Sequence, residues 1–171
     1  TLEGIQSIYA SSIGAFIACI IAMGYDWDTI DNYLIERPWS DSFDSIQTDI
    51  LELFHNKGID GENVFRICME PLLKAKDIPL EVTMKEFYNK TRIELVFTVT
   101  EINSNSSLVS ELISHHTYPD MSLIQAIAST AAYPMVFKPI FYEEKCFIDG
   151  GLLHNLPINL CLEHSGFNQE E

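Results

Sequence analysis

The stretch from Ile8 to Tyr25 constrains the fold more than any other part of the chain. A β-leaning segment, 5–9, runs into a cluster of small residues, 10–14. An apolar segment follows, 13–23, in which no side chain is polar, and it ends at Gly24. A bilayer span takes about 20 apolar residues, so this segment is too short to cross a membrane. The pattern predicts a strand, a sharp turn and a buried central helix.

The turn in this stretch carries Ala10-Ser11-Ser12-Ile13-Gly14. A small-x-Ser-x-Gly pattern between a strand and a helix lifts a serine hydroxyl above the edge of a sheet, and the small residues at Ala10 and Gly14 keep the turn sterically possible. The helix N-terminus favours negative charge that develops beside Ser12. Serine is also a preferred helix N-cap. The motif alone therefore leaves two interpretations open, a nucleophile or a cap.

A second motif lies far downstream, where a short apolar segment, 146–148, leads into Asp149-Gly150-Gly151. A carboxylate within hydrogen-bonding reach of a serine can accept its proton directly, without an imidazole. Glycines beside such a carboxylate allow the backbone to approach closely. A plain Asp-Gly turn is the alternative interpretation, and such turns are common.

The five histidines do not stand in a context that marks a triad base. His154 follows the Asp149 loop closely, and we interpret it as a loop residue because nothing in the sequence orients it as a base must be oriented. Histidines, carboxylates and thiols are not spaced as metal ligands are. The sequence therefore predicts neither a metal site nor a cofactor.

Composition restricts the partners. The net charge of −15 argues against nucleic acid, which requires a basic surface, and against polybasic docking on anionic membranes. The 171 residues, 47% of them hydrophobic, predict one globular domain, 1–171. Because the chain begins at Thr1 without a methionine, we expect it to be a fragment. The four cysteines include no Cys-x-x-Cys pair, which favours a reducing compartment.

Strands and helices are predicted to alternate through most of the chain, a pattern typical of the α/β class. Hydrophobic periodicity and capping residues predict helices at 29–36, 46–54, 62–74, 84–89, 121–132 and 157–163. Pro71 predicts a kink or a break in the third of these helices. The clearest strand is 93–100, and extended segments are predicted at 136–142 and 145–148 around a Glu143-Glu144 turn. The segment 109–115 fits either a strand or a short helix.

The two motifs and their flanks resemble the patatin-like phospholipase family. The Ser12 motif stands where that family has Gly-x-Ser-x-Gly, and Asp149-Gly150-Gly151 stands where it has Asp-Gly-Gly or Asp-Gly-Ala. Between them, the segments 118–121, 126–129 and 133–139 are similar to the family's approach to the aspartate. Asn155-Leu156-Pro157 resembles its Asn-x-Pro. The resemblance covers the chain from about Gly4 to Pro157.

The resemblance implies a three-layer α/β/α sandwich with a mostly parallel central sheet, here incomplete at both ends. It implies lipid acyl ester hydrolysis through an acyl-enzyme, with Ser12 as nucleophile and Asp149 as general base. Ile13 and Gly14 would support the oxyanion, and Gly150 and Gly151 would support the aspartate loop. The implied partner is a lipid or phospholipid, reached by transient contact with a membrane or lipid-droplet surface. The implied location is cytoplasmic or peripheral to a membrane.

Two features depart from the family pattern. Ala10 replaces the first glycine of the serine motif, and this sequence starts downstream of the Gly-rich loop that carries the family's oxyanion donors. The loss of one such donor typically costs about 10²–10³ in rate. Two alternatives therefore stay open beside the lipid hydrolase: a catalytically inactive lipid-binding domain, and a serine hydrolase of a soluble ester or thioester.

Overall fold

Strands and helices alternate through the computed structural model, which describes residues 4–40, 58–105 and 107–164. The strands in these ranges are β1 (Ser7–Ala10), β2 (Glu94–Glu101), β3 (Val109–Ile113), β4 (Ile140–Tyr142) and β5 (Lys145–Asp149). The α-helices are α1 (Ile13–Ala22), α2 (Trp27–Asp31), α3 (Gly61–Ala75), α4 (Met84–Thr91), α5 (Leu123–Thr130), α6 (Gly151–His154) and α7 (Ile158–His164). A π-helical turn, Asn32–Glu36, continues α2.

Strand β2 is the centre of the sheet. Its first half pairs in parallel with β1, from Ser7 opposite Glu94 to Ala10 opposite Phe97. Its second half pairs antiparallel with both β3 and β5, and β4 pairs antiparallel with β5. Six consecutive residues of β2, 95–100, are buried. Because successive side chains of a strand point to opposite faces, both faces of the sheet are covered along β2.

The α/β class predicted from the sequence is confirmed, but the sheet is mixed rather than mostly parallel. Of the four pairings between the described strands, β1 with β2 is the parallel one. The reason lies in the connections. A parallel pair needs a crossover of about a dozen residues or more, and the chain between β1 and β2 includes helices α1 to α4. The two-residue Glu143-Glu144 turn between β4 and β5 can only reverse the chain.

Helix α1 is the buried helix that the apolar segment predicts. Its inner face buries Ala15, Phe16, Ala18, Cys19, Ile20 and Ala22. The first residue departs from the prediction that the helix is buried, because the Ile13 side chain is 61% exposed. The helix packs against β1, β2 and α5, and it therefore fixes the position of the serine turn relative to the sheet.

Several boundaries follow from local chemistry. Asp26, Asp60 and Thr83 cap α2, α3 and α4, and Thr83 and Glu86 form the predicted capping box. Pro71 lies inside α3 without ending it. The undecided segment 109–115 is a strand over Val109–Ile113, because it closes a hairpin with β2. The predicted helix 46–54 lies outside the described residues.

Of the helices within 4–40, 58–105 and 107–164, none combines the length and the apolar character that a membrane crossing requires.

Candidate active site

Ser12 occupies a strained turn between β1 and α1. Its backbone has φ 53° and ψ −135°, a combination that is costly for a residue with a side chain and adds on the order of 1–3 kcal/mol of strain. It stands at the N-cap position of α1, but its side chain makes no capping hydrogen bond. The interpretation of Ser12 as an ordinary helix cap therefore fails, and the hydroxyl is free to point elsewhere.

The Ser12 hydroxyl donates a hydrogen bond to Asp149. Its Oγ lies 2.6 Å from Asp149 Oδ2, although the two residues are 137 positions apart. The other carboxylate oxygen, Oδ1, accepts from the Gly151 amide at 2.7 Å. Asp149 is 2% exposed, and a buried carboxylate needs such partners. The structure thus brings together the serine and the aspartate that the sequence singles out.

Thr130, at the end of α5, fixes the turn from beneath. Its Oγ1 accepts a hydrogen bond from the Ser12 amide at 2.9 Å and donates one to the Thr98 carbonyl at 2.6 Å. The Thr130 carbonyl also accepts from the Gly150 amide at 3.2 Å. Thr130 thereby links three parts of the site: its side chain joins the serine turn to strand β2, and its backbone carbonyl holds the aspartate loop. The sequence analysis missed Thr130; the available signal was a hydroxyl among the small residues 126–132 of a buried helix.

The glycines of the two motifs differ in how strongly the site requires them. A Cβ on Gly150 would come within 2.0 Å of the Thr98 carbonyl oxygen, which no backbone adjustment of ordinary size accommodates. A Cβ on Gly151 would lie 2.9 Å from Asp149 Oδ1. A Cβ on Gly14 would meet only the Ala10 Cβ at 3.9 Å, an ordinary contact. The turn therefore has room for the Ala10 side chain, and a larger residue than glycine would also fit at position 14.

An apolar pocket opens beside the Ser12–Asp149 pair. Its volume is about 470 Å³. Besides Ser12 and Asp149, its lining includes Ile13, Phe16, Val64, Phe65, Cys68 and Phe137. The Ile13 amide begins α1 next to the Ser12 hydroxyl, where the positive end of the helix favours negative charge. The pocket can therefore hold an apolar group whose polar end lies at Ser12.

Comparison with known proteins identifies the family. The model of the patatin-like phospholipase family matches residues 1–162. The chain belongs to that family. A curated relative, a probable lipid hydrolase of Invertebrate iridescent virus 6, is 26% identical over 95% of this chain and 55% of its own length. An uncharacterized protein of Acanthamoeba polyphaga mimivirus is 22% identical over 92% of this chain and 51% of its own length. The chain thus spans about half the length of the curated relatives it matches.

A solved structure shows the same patatin-like fold. The crystal structure of VipD from Legionella pneumophila superposes with a TM-score of 0.56 and 18% sequence identity, over 89% of this chain and 41% of that chain. At this identity the likeness concerns the fold alone.

Other nucleophiles and bases are poorly placed in this patatin-like site. Within the described ranges, no histidine hydrogen bonds to Ser12 or Asp149; the contact of His154 in this region is its backbone carbonyl, which accepts from Thr98 Oγ1 at 3.4 Å. Cys68 lines the pocket, but burial raises the pKa of its thiol to about 11. Because the thiolate is the nucleophilic form, Cys68 stays inert at neutral pH.

The strain at Ser12 leads to a testable difference between two inactive variants. Ser12→Gly and Ser12→Ala both remove the hydroxyl, so Asp149 loses the same hydrogen bond in each variant. They differ at the backbone, because glycine adopts positive φ without a steric cost. We expect Ser12→Gly to be more stable than Ser12→Ala by about 1 kcal/mol. Urea unfolding followed by circular dichroism measures the difference. Equal stabilities would show that the turn stores no strain at this residue.

Proposed function

We propose that this protein hydrolyses acyl esters of lipids, with Ser12 as nucleophile and Asp149 as general base. The observation that carries the proposal is the 2.6 Å hydrogen bond from Ser12 Oγ to Asp149 Oδ2. Family membership and the name of the viral relative, a probable lipid hydrolase, support the reaction class. The described part of the chain offers Asp149, and no imidazole, within reach of the Ser12 proton.

The proposed mechanism has two halves. Ser12 Oγ attacks the ester carbonyl while its proton passes to Asp149 Oδ2, and a tetrahedral intermediate forms with its oxyanion near the start of α1. When the C–O bond to the alcohol breaks, Asp149 returns the proton to the leaving oxygen and the acyl group remains on Ser12. Water then attacks this acyl-enzyme, Asp149 accepts the proton of the water, and Ser12 regains it as the fatty acid leaves.

The surroundings of Ser12 support an acyl chain as the substrate group. The side chains that line the pocket are predominantly apolar, and burial of apolar surface contributes about 0.8 kcal/mol per methylene group. The mouth also exposes apolar side chains, with Ile13 61% and Tyr133 54% exposed. We infer that this rim contacts a membrane or lipid-droplet surface transiently, and that the protein acts in the cytoplasm or peripheral to a membrane.

A chain-length series tests the assignment of the pocket to the acyl chain. Val64 lines the pocket from α3 and is only partly buried. Val64→Trp should fill part of the cavity and lower kcat/KM for phospholipids with 16-carbon acyl chains by about tenfold or more, since each displaced methylene costs about 0.8 kcal/mol. It should leave hydrolysis of four-carbon esters unchanged. Val64→Ala is the matched control and should retain the long-chain preference.

The same assay separates the competing substrate classes when phospholipid, triglyceride, short-chain ester and thioester are compared. Preference of the unmodified protein for the long-chain lipids supports the proposal. A preference for the soluble ester or thioester, with no effect of Val64→Trp on long chains, would assign the pocket to another substrate. No turnover of any substrate would contradict the proposed hydrolysis and favour the catalytically inactive alternative.

A further inference from the structure

We propose that Glu94, His115 and His116 form a binding site for a divalent transition metal of the zinc type. The inference is independent of the proposed ester hydrolysis, because the three residues lie at the opposite end of the β1–β2 strand pair from Ser12. Ser12 follows the carboxyl end of β1, whereas Glu94 begins β2 and pairs with Ser7 at the opposite end of the same parallel pair. Five residues of extended chain span roughly 15 Å.

The register of the β2–β3 hairpin brings the three residues together. The two strands are antiparallel, and their last pair is Phe97 with Ile113. Residues that precede Phe97 therefore face residues that follow Ile113. If this register is continued, Glu94 lies opposite His116, and His115 is the neighbouring residue on the same side of the hairpin. The spacing of histidines, carboxylates and thiols along the sequence predicts no metal site, because a single sequence does not specify how 109–115 pairs with β2. The proposed site replaces that expectation.

The distances between the ligand atoms suit a shared ion. Glu94 Oε1 lies 3.7 Å from His115 Nδ1 and 3.7 Å from His116 Nε2, and the three ligand atoms lie within 4.8 Å of one another. Ligands about 2.0–2.1 Å from a tetrahedral ion are themselves about 3.4 Å apart. The separation of the two histidine nitrogens, at most 4.8 Å, has to shorten by rotation of the His116 side chain, which is 73% exposed.

A second, independent observation concerns the Nδ1 atom of His115, which lacks a partner among the described residues. Its side chain is only 10% exposed, and its Nδ1 is buried with no hydrogen-bond partner. The contact with Glu94 at 3.7 Å is too long for a hydrogen bond. Buried polar atoms are almost always satisfied, so each exception calls for an explanation. A metal ion between Nδ1 and the carboxylate would satisfy both groups.

The ring of His115 is also held in place for this role. It stacks on Tyr88 of α4, with ring centroids 3.7 Å apart and planes 11° apart. A ring fixed by stacking loses little freedom when it binds an ion. The His115 ring also contacts the His116 ring, with centroids 3.8 Å apart, and the His116 side chain is exposed to solvent.

The ligand set points to zinc rather than to calcium or magnesium. Two imidazoles and one carboxylate are a combination found at zinc sites, whereas calcium and magnesium prefer oxygen ligands. Three protein ligands leave a fourth position for water. An ion here would tie the turn after β3 to the start of β2 and to α4. Its effect would be on stability of the fold, because Ser12 and Asp149 lie at the other end of β1.

The test uses ZnCl₂ and CoCl₂ as probes on the purified protein. Zinc at about 100 times its dissociation constant should raise the melting temperature by about 5–10 °C, and a chelator should reverse the shift. Cobalt should give the visible absorption of a low-symmetry nitrogen and oxygen site, without thiolate charge transfer. Since outer partners alone change metal affinity about 10–100-fold, His116→Ala and Glu94→Gln should each weaken zinc binding at least about tenfold.

His116 is exposed, so His116→Ala should fold normally, and His154→Ala is the matched control that should bind zinc as the unmodified protein does. MgCl₂ at the same concentration controls for general attraction to a chain of net charge −15. The proposal is overturned if zinc produces no thermal shift, if magnesium produces the same shift, or if His116→Ala binds zinc with unchanged affinity. Thiolate charge transfer with cobalt would also overturn it, by placing the ion on cysteine.

Discussion

Ser12→Ala and Asp149→Asn should each lower the rate of lipid ester hydrolysis by at least about 10³-fold, and the double variant should be no slower than either single one. Alanine removes the nucleophile, and asparagine keeps the shape of Asp149 but cannot accept the proton of Ser12. Residues that act as one unit give effects that do not add. Hydrolysis of phospholipid vesicles measures the rates, with each variant made in the longest natural form of the protein so that any residues preceding Thr1 are present.

Circular dichroism of each variant controls for folding, and His154→Ala is the matched activity control. His154 makes no described hydrogen bond to the Ser12–Asp149 pair, so its replacement should leave turnover within about twofold, a change far smaller than general acid–base catalysis contributes. If Asp149→Asn kept near-normal turnover while His154→Ala abolished it, Asp149 would not be the base. Additive losses in the double variant would mean that the two residues act in separate steps.

Gly150→Ala should destabilise the protein by more than about 3 kcal/mol and eliminate activity. The new methyl group would be placed 2.0 Å from the Thr98 carbonyl oxygen and 2.4 Å from its carbon. Overpacking against side chains costs about 1–3 kcal/mol, and here the obstacle is the backbone of the central strand. The loop after β5 must move away, and Asp149 would then move out of reach of Ser12. Thermal unfolding and turnover of the soluble fraction measure the two effects.

Gly14→Ala is the matched control, because it makes the same substitution in the other motif. Its methyl group would meet only Ala10 at 3.9 Å, and alanine favours a helix over glycine by up to about 1 kcal/mol. Stability should therefore be unchanged or slightly raised. If Gly150→Ala were as stable and active as Gly14→Ala, the aspartate loop would have to lie farther from the Thr98 backbone than the structure places it.

The strand, turn and helix around Ser12 could be predicted because the signal is local. The segment 13–23 has no polar side chain, which predicts a mostly buried helix, and a sharp turn joins it to the preceding strand. The role proposed for Asp149 could be inferred only through the family resemblance, since an Asp-Gly-Gly sequence by itself is a common turn. The exposure of Ile13 was missed because periodicity does not show that a pocket opens at the first turn of α1.

The missed features are contacts between distant parts of the chain. Thr130 bonds to the Ser12 amide across 118 positions, and no local pattern predicts such a pairing. The antiparallel direction of β5 against β2 depends on where the chain returns after α5, and helix and strand periodicity carry no information on that. The cluster of Glu94 with two histidines requires the register of β2 and β3, which a single sequence does not specify.

The most direct test of the Ser12–Asp149 account is the mass of the intact protein after reaction with a fluorophosphonate, which labels only an activated serine. The account predicts one adduct per chain, mapped by peptide sequencing to Ser12. It also predicts no adduct on Ser12→Ala and labelling of Asp149→Asn that is slower by at least about 10²-fold. An adduct on Ser12→Ala at the normal rate, or undiminished labelling of Asp149→Asn, would contradict it.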